Sequence, residues 1–273
     1  MIFSNSPNIK NSRPAIFIDS NNHHENDKNK CLSIGQVHPL DNIPYIRFLG
    51  VHIDPSLSFQ FHINIIHSKL SKTMYILRTV KNFLPEKALK SIYYSLFHSH
   101  LVYCLPVWSS ASQSLLKKIT ILQKKAIRIL THNVYNAHTE PLFKKEKILP
   151  FEKLILFFNL QFMQKNIQGL LPDAFRDTWI TNQERRRVAN NKDLQRTLRN
   201  SENLNIPFAR LTTSLKHPYF NLPITWSNFN NFSIKIIRSK YEFNFKLKTH
   251  LLQLLKETNY CTRLICPVCH LRI

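Results

Sequence analysis

The sequence predicts an α+β chain that is mainly α, with short N-terminal strands, a helical bundle and a loosely ordered C-terminal region. Two observations carry this. The apolar period changes from about two to about three and a half near Phe61. At 43% hydrophobic and 11% aromatic residues, the chain also has enough apolar mass to bury a core. The expected division is a sheet remnant over 1–60 and a bundle over 61–171, then a basic, poorly ordered linker over 172–240 and a C-terminal helix with a Cys-rich tail over 241–273.

The strands come first. Ala15–Asp19, Cys31–Val37 and Pro44–Asp54 are apolar runs bounded by Pro, Asn, Asp or Ser, the last being the longest. They make a poor independent sheet and look like the end of one that began earlier. The polar stretch SNNHHENDKNK between the first two reads as a surface loop.

The helices follow. Ile63, Ile66, Leu70, Met74 and Leu77 form one stripe, with Lys69 and Lys72 on the opposite side. Pro85 starts a second helix, in which Leu89, Ile92, Tyr93, Leu96 and Phe97 form a wide apolar face that predicts a central position. Leu105-Pro106-Val107-Trp108 breaks it. A third helix carries Leu115, Ile119, Leu122, Ala126 and Ile129 inward. Pro141–Lys147 and Pro150–Ile167 complete a five-helix bundle, with Gly169 as the C-terminal cap of the last. Phe243, Leu247, Leu251, Leu254 and Leu255 predict one more helix, docking elsewhere.

Composition narrows the function. With 38 Lys+Arg against 16 Asp+Glu, the formal net charge is +22, which makes a polyanion the first candidate partner. Three glycines leave no room for a glycine-rich phosphate loop. Five cysteines are too few for a disulfide scaffold and suggest a reducing, intracellular setting, nucleus or cytoplasm. No leader segment opens the sequence, and no run of about 18 apolar residues predicts a membrane span.

The charge concentrates on the third helix. Lys117, Lys124 and Arg128 cluster opposite its apolar stripe, with Lys118 and Lys125 beside them, and no Asp or Glu lies between Leu115 and Leu130. Such a row suits a phosphate backbone, which asks for charge and no base-specific geometry. Arg185-Arg186-Arg187, in a polar segment, reads as an exposed loop, with a second phosphate contact or a localisation signal as the alternative.

Catalytic chemistry is harder to find. No Asp-Asp pair, G-x-S-x-G elbow or H-E-x-x-H occurs, and Asp54 is the only carboxylate near the longest strand. At the far end, Cys261, Cys266, Cys269 and His270 fall within ten residues, a spacing compatible with a partial zinc knuckle or with free thiols. Cys31 and Cys104 lie in apolar runs and read as core residues.

Several motifs, in order, resemble the end of the palm and the thumb of non-LTR (LINE-type, jockey-like) retrotransposon reverse transcriptases. They are Phe48-Leu49-Gly50-Val51-His52-Ile53-Asp54, Phe61-His62-Ile63, Phe83-Leu84-Pro85, Tyr93-Tyr94-Ser95-Leu96, Leu101-Val102-Tyr103-Cys104, Val107-Trp108, Leu122-Gln123-Lys124-Lys125-Ala126-Ile127-Arg128-Ile129 and His138-Thr139-Glu140-Pro141-Leu142-Phe143. The similarity is strong over about residues 45–150. It implies that Phe48, Leu49 and Gly50 form a primer-grip hairpin in a palm remnant, with Gly50 allowing close backbone approach. It also implies that the bundle is a thumb lying along an RNA–DNA template–primer, its lysines on phosphates. The family's catalytic Asp-Asp and its Mg²⁺ would belong to a part of the palm ahead of Met1, so the expected activity is binding without polymerisation. Neutralising about six phosphates would weaken binding by roughly 10³ between 50 and 200 mM salt. The alternative is a helical interaction module whose basic face meets an acidic protein.

The tail supplies a direct test. If it holds zinc, adding Zn²⁺ releases protons and protects Cys266 and Cys269 from alkylation. Unchanged alkylation rates would leave free thiols.

Overall fold

A computed structural model of the chain describes residues 45–175, 178–189, 204–206 and 214–255. The strands expected at Ala15–Asp19 and Cys31–Val37 lie outside the described residues, as do Cys261, Cys266, Cys269 and His270. What is described is mainly helical, with two short antiparallel strands ahead of the helices.

Pro44–Asp54, which composition reads as one long strand, folds back on itself. β1 (Ile46–Phe48) pairs with β2 (Val51–Ile53), with Arg47 opposite His52 and Phe48 opposite Val51. Leu49 and Gly50 between them have φ of 45° and 81°. Positive φ at both central residues is the turn whose twist matches a hairpin. A Cβ on Gly50 would meet Tyr103 Cε1 at an ordinary 3.6 Å, so backbone conformation, not crowding, calls for the glycine.

The chain then enters α1 (Gln60–Val80) through a turn built on Asp54. The buried Asp54 carboxylate accepts the backbone N–H groups of Ser58 (2.9 Å) and Phe59 (2.7 Å) and the Ser56 hydroxyl (2.5 Å). Burial alone would raise its pKa, but these hydrogen bonds together hold it below the ordinary value, so it stays charged. They also support Leu57 and Phe59, both at positive φ. Asp54 is therefore a turn former.

α1 buries the stripe its spacing predicts, Ile63, Ile66, Leu70, Met74 and Leu77, and packs against α5 (Gln113–Leu130). The central helix is continuous but not uniform. α2 (Glu86–Ile92) runs into a π-helical segment, Tyr93–His98, and then into α3 (Ser99–Val102). Pro85 sits one residue before α2, as its N-cap. Tyr93 and Phe97, with rings stacked at 5.2 Å, are fully buried. The Leu96 carbonyl, in the widened segment, accepts the Thr73 hydroxyl of α1 at 3.3 Å.

Leu105–Trp108 forms the short α4, whose Trp108 stacks on Phe151 at 5.7 Å and donates its indole N–H to Tyr103 O at 2.8 Å. α6 (Thr139–Glu146) and α7 (Phe151–Ile167) follow. Gly169, at φ 67°, closes α7 as predicted, with the Leu170 N–H reaching back to Lys165 O.

α7 packs on two sides. One side meets α4 and α5, the other α9 (Pro218–Asn228) and α11 (Lys240–Gln253). The 172–240 stretch, expected as a poorly ordered linker, thus contains α8 (Asn182–Ala189), α9 and α10 (Phe232–Lys235). Leu222, Trp226, Phe229, Ile234 and Ile237 from it join the same core cluster as the bundle. Likewise α11 does not dock elsewhere, because Phe243, Leu247 and Leu251 lie against the bundle through α6 and α7. Pattern reading misses this because α9 is short, mostly apolar with only a narrow polar side at Asn221, Thr225 and Asn228, and carries Pro223 inside it, so it shows little amphipathic period.

Asp54→Ala removes three hydrogen bonds at the entry to α1 and is expected to destabilise the fold by about 2 kcal/mol. The urea midpoint reads it. Since the Asp54 pKa is lowered, its contribution persists above the ordinary carboxylate value near 3.8 and fades as pH falls below it.

Candidate nucleic-acid interface

α5 divides cleanly. Leu116, Ile119, Leu122, Gln123, Ala126, Ile127 and Leu130 are buried, with Leu115 and Ile129 at the margins of the stripe. Gln123, polar yet buried, donates through Nε2 to Tyr93 Oη at 3.1 Å and to Leu149 O at 3.0 Å. That rotation sends Lys117, Lys118 and Lys124 outward and exposed, with Lys125 half-buried beside them. Ile121, 44% exposed, sits among them. Lys117 to Lys125 span about 12 Å of helix.

Arg128 leaves this row. Its Nε donates to Ala137 O at 2.8 Å, tying the loop after α5 back onto the helix. The spacing is right for the basic face, but a nearby carbonyl claims the guanidinium.

Lys69 and Lys72 project from α1 and are exposed. Lys69 stands near enough to His52, His62 and His100 for its charge to lower each imidazole pKa. It therefore belongs to the hairpin end of the bundle, with Arg47, whose charge also acts on His52. Phe48 and Leu49, 62% and 73% exposed, form the hairpin tip. Gly50 completes it, and the Tyr103 hydroxyl donates to Leu49 O at 2.5 Å, holding the tip to the helical body. Sequence reasoning missed Arg47 and Tyr103. Alternation along the strand, which puts Arg47 opposite His52, could have found the first.

Arg185 lies on α8, a helix and not the loop expected there. A reciprocal cap starts it, with the Glu184 carboxylate accepting from Thr181 N at 2.7 Å and Glu184 N donating to Thr181 Oγ1 at 3.2 Å. The Arg185 guanidinium donates to Asn205 Oδ1 at 2.7 Å. The side chains of Arg186 and Arg187 lie outside those described. Nothing described joins α8 to the α5 face.

Beneath the hairpin, His62 is buried with its Nδ1 accepting the His52 backbone N–H at 3.4 Å, while His62 Nε2 and His52 Nδ1 find no hydrogen-bond partner. The His62 ring stands edge-on to Trp108 at 5.9 Å. Burial, then the His52 and Lys69 charges, pull the His62 pKa down to about 4. Burial and the Lys248 charge do the same to His98. Both imidazoles are neutral at physiological pH. Among the described residues no three His, Cys, Asp or Glu side chains converge as a metal site, and no helix is long and apolar enough to cross a membrane. No protein-family model, curated protein or solved structure matches the chain.

The histidines set a pH response. In the unfolded chain they protonate near 6.5, but His62 and His98 resist protonation until about 4 when folded. The unfolded state therefore binds more protons between these values. Stability is full above about pH 6.5 and declines as pH falls towards 4, which a series of urea midpoints would record. A midpoint unchanged across that window contradicts the burial of these rings.

Proposed function

We propose that this chain binds template–primer nucleic acid without sequence preference, as the thumb-like part of a protein related to non-LTR reverse transcriptases. The observation that carries the reading is the α5 surface, where Lys117, Lys118 and Lys124 stand exposed on a helix with no acidic residue from Leu115 to Leu130. An unneutralised row of like charge repels itself on an isolated helix and gains most when a polyanion lies along it. Lys125 flanks the row, while Lys69 and Lys72 extend the cationic surface of α1, the helix packed against α5.

The hairpin end supports the same reading. An exposed apolar tip, Phe48 and Leu49, held by Tyr103 and backed by Arg47 and Lys69, suits the end of a stacked duplex. The residues provide position and charge. Bond formation would require paired carboxylates holding divalent metal ions, and the sequence contains no adjacent Asp pair.

Binding of an RNA–DNA duplex is expected to be weak and strongly salt-dependent, falling by roughly 10³ between 50 and 200 mM salt for about six neutralised phosphates. Lys117→Gln with Lys124→Gln should lower the slope of log K against log salt by about 2, equally for every sequence. A flat salt response rules out the α5 face. Competition between duplex and an acidic polypeptide separates this reading from a protein-binding module, and nucleotide incorporation in a primer-extension assay would overturn the non-catalytic role.

A further inference from the structure

We propose that the outward face of α1 around Tyr75 is a contact site for an unpaired nucleotide of single-stranded nucleic acid, with the base stacked on the Tyr75 ring and its flanking phosphates held by Lys72 and Arg78. This site takes its class of ligand from the nucleic-acid reading and to that extent rests on it, but it lies on a different helix from the α5 face and binds strand, not duplex. α1 buries Ile63, Ile66, Leu70, Met74 and Leu77 against the bundle. Tyr75 leaves the helix on the side away from that stripe and is 72% exposed. A single exposed tyrosine is ordinary. Its neighbours set this one apart.

On a helix surface the residues three and four positions away are the nearest neighbours. For Tyr75 these are Lys72 and Arg78, both exposed, and Ser71 and Thr79, both small. All five lie within Gln60–Val80, so the helical backbone alone fixes the grouping. The Thr79 hydroxyl donates to Tyr75 O at 3.1 Å and is thereby taken up by the backbone. Among the described residues no other ring meets Tyr75, no cation stands over it, and neither Lys72 nor Arg78 forms an ion pair. α1 contains no Asp or Glu, so nothing on the helix neutralises either cation. An open ring therefore stands between two uncommitted positive charges.

Such an arrangement asks for a ligand with a flat face and a negative charge on either side of it. A nucleotide within a strand has both. Stacking of a base on an aromatic ring tolerates any sequence, because every base has a π-face. Six residues separate Lys72 from Arg78, about 9 Å along the helix axis, so their long side chains can reach the phosphates on both sides of one stacked base. A blunt duplex offers charge but keeps its base faces against one another, and the ring adds nothing to it. An acidic polypeptide matches the cations and leaves the ring unused. The ring and the charges together favour the unpaired strand.

The test measures binding of a labelled RNA strand of about eight uridines to the full chain at low salt. Tyr75→Ala is expected to weaken it roughly ten-fold, and Tyr75→Phe, which keeps the ring, to leave it nearly unchanged. Alanine at an exposed helix position costs no helix propensity, so the melting temperature holds and lost binding cannot reflect misfolding. Lys72→Gln with Arg78→Gln should lower the salt slope for the strand by about 1.4. Tyr241→Ala, at an exposed tyrosine on α11, leaves strand binding as it was. A strand with abasic linkers in place of nucleotides binds wild type and Tyr75→Ala alike, as does a blunt RNA–DNA duplex. If the uridine strand is held through Tyr75 while blunt duplex does not bind, the α5 face fails and this site stands. Equal binding of the uridine strand by wild type and Tyr75→Ala overturns the site and leaves the α5 reading untouched. So does an acidic polypeptide of equal charge that displaces the strand as readily as unlabelled strand does, since the face is then a plain cationic surface.

Discussion

The packing of α5 against α1 is the constraint on which the remaining architecture depends. Its buried stripe runs from Leu116 to Leu130, and Gln123 sits in the middle of it. A buried amide has to be satisfied, and Gln123 is, by donating to the Tyr93 hydroxyl and the Leu149 carbonyl. Those two bonds lock the rotation of α5 relative to the central helix and to the strand of chain entering α7. An apolar residue at 123 could slide, but an amide with two fixed acceptors cannot do so without orphaning a buried group.

Charge and packing are consequently the same decision in this protein. Once Gln123 faces inward, Lys117, Lys118 and Lys124 must face outward, because a helix turns by about 100° per residue. The same logic explains where charge is withheld. His62 is buried and His98 partly so, both neutral, and they need no counter-ions, at the cost of stability in acid. Asp54 takes the opposite course and stays ionised, since three hydrogen bonds outweigh its burial.

Much of this was legible from spacing. The α1 stripe from Ile63 to Leu77 is buried residue for residue, because a long amphipathic helix leaves little freedom in which side faces the core. Gly169 ends α7 as glycine does where a left-handed residue is needed. The basic face of α5 follows from the same periodicity. Arg128 shows where that reasoning stops. It has the right spacing but bonds to Ala137 O, a partner supplied by a loop whose path no local pattern specifies. The hairpin at Leu49–Gly50 was hidden inside one apolar run, since three-residue strands are too short to display alternation. The docking of α9 to α11 on α7 was equally hidden, because the evidence for it lies in contacts with residues some 70 positions away, such as Gln164 Nε2 on Ile237 O.

The sequence by itself determined the mainly helical class, the inward stripes of α1 and α5, and the large positive charge, because periodicity and composition are properties of the chain alone. The tertiary structure decided which charges are used and which are spent. It assigned Arg128 to a loop carbonyl, Asp54 to a turn and Lys90 to the carboxylate and carbonyl of Glu146. The reason is physical. A side chain's availability depends on the partner within hydrogen-bonding reach, and that partner is set by how distant segments fold together.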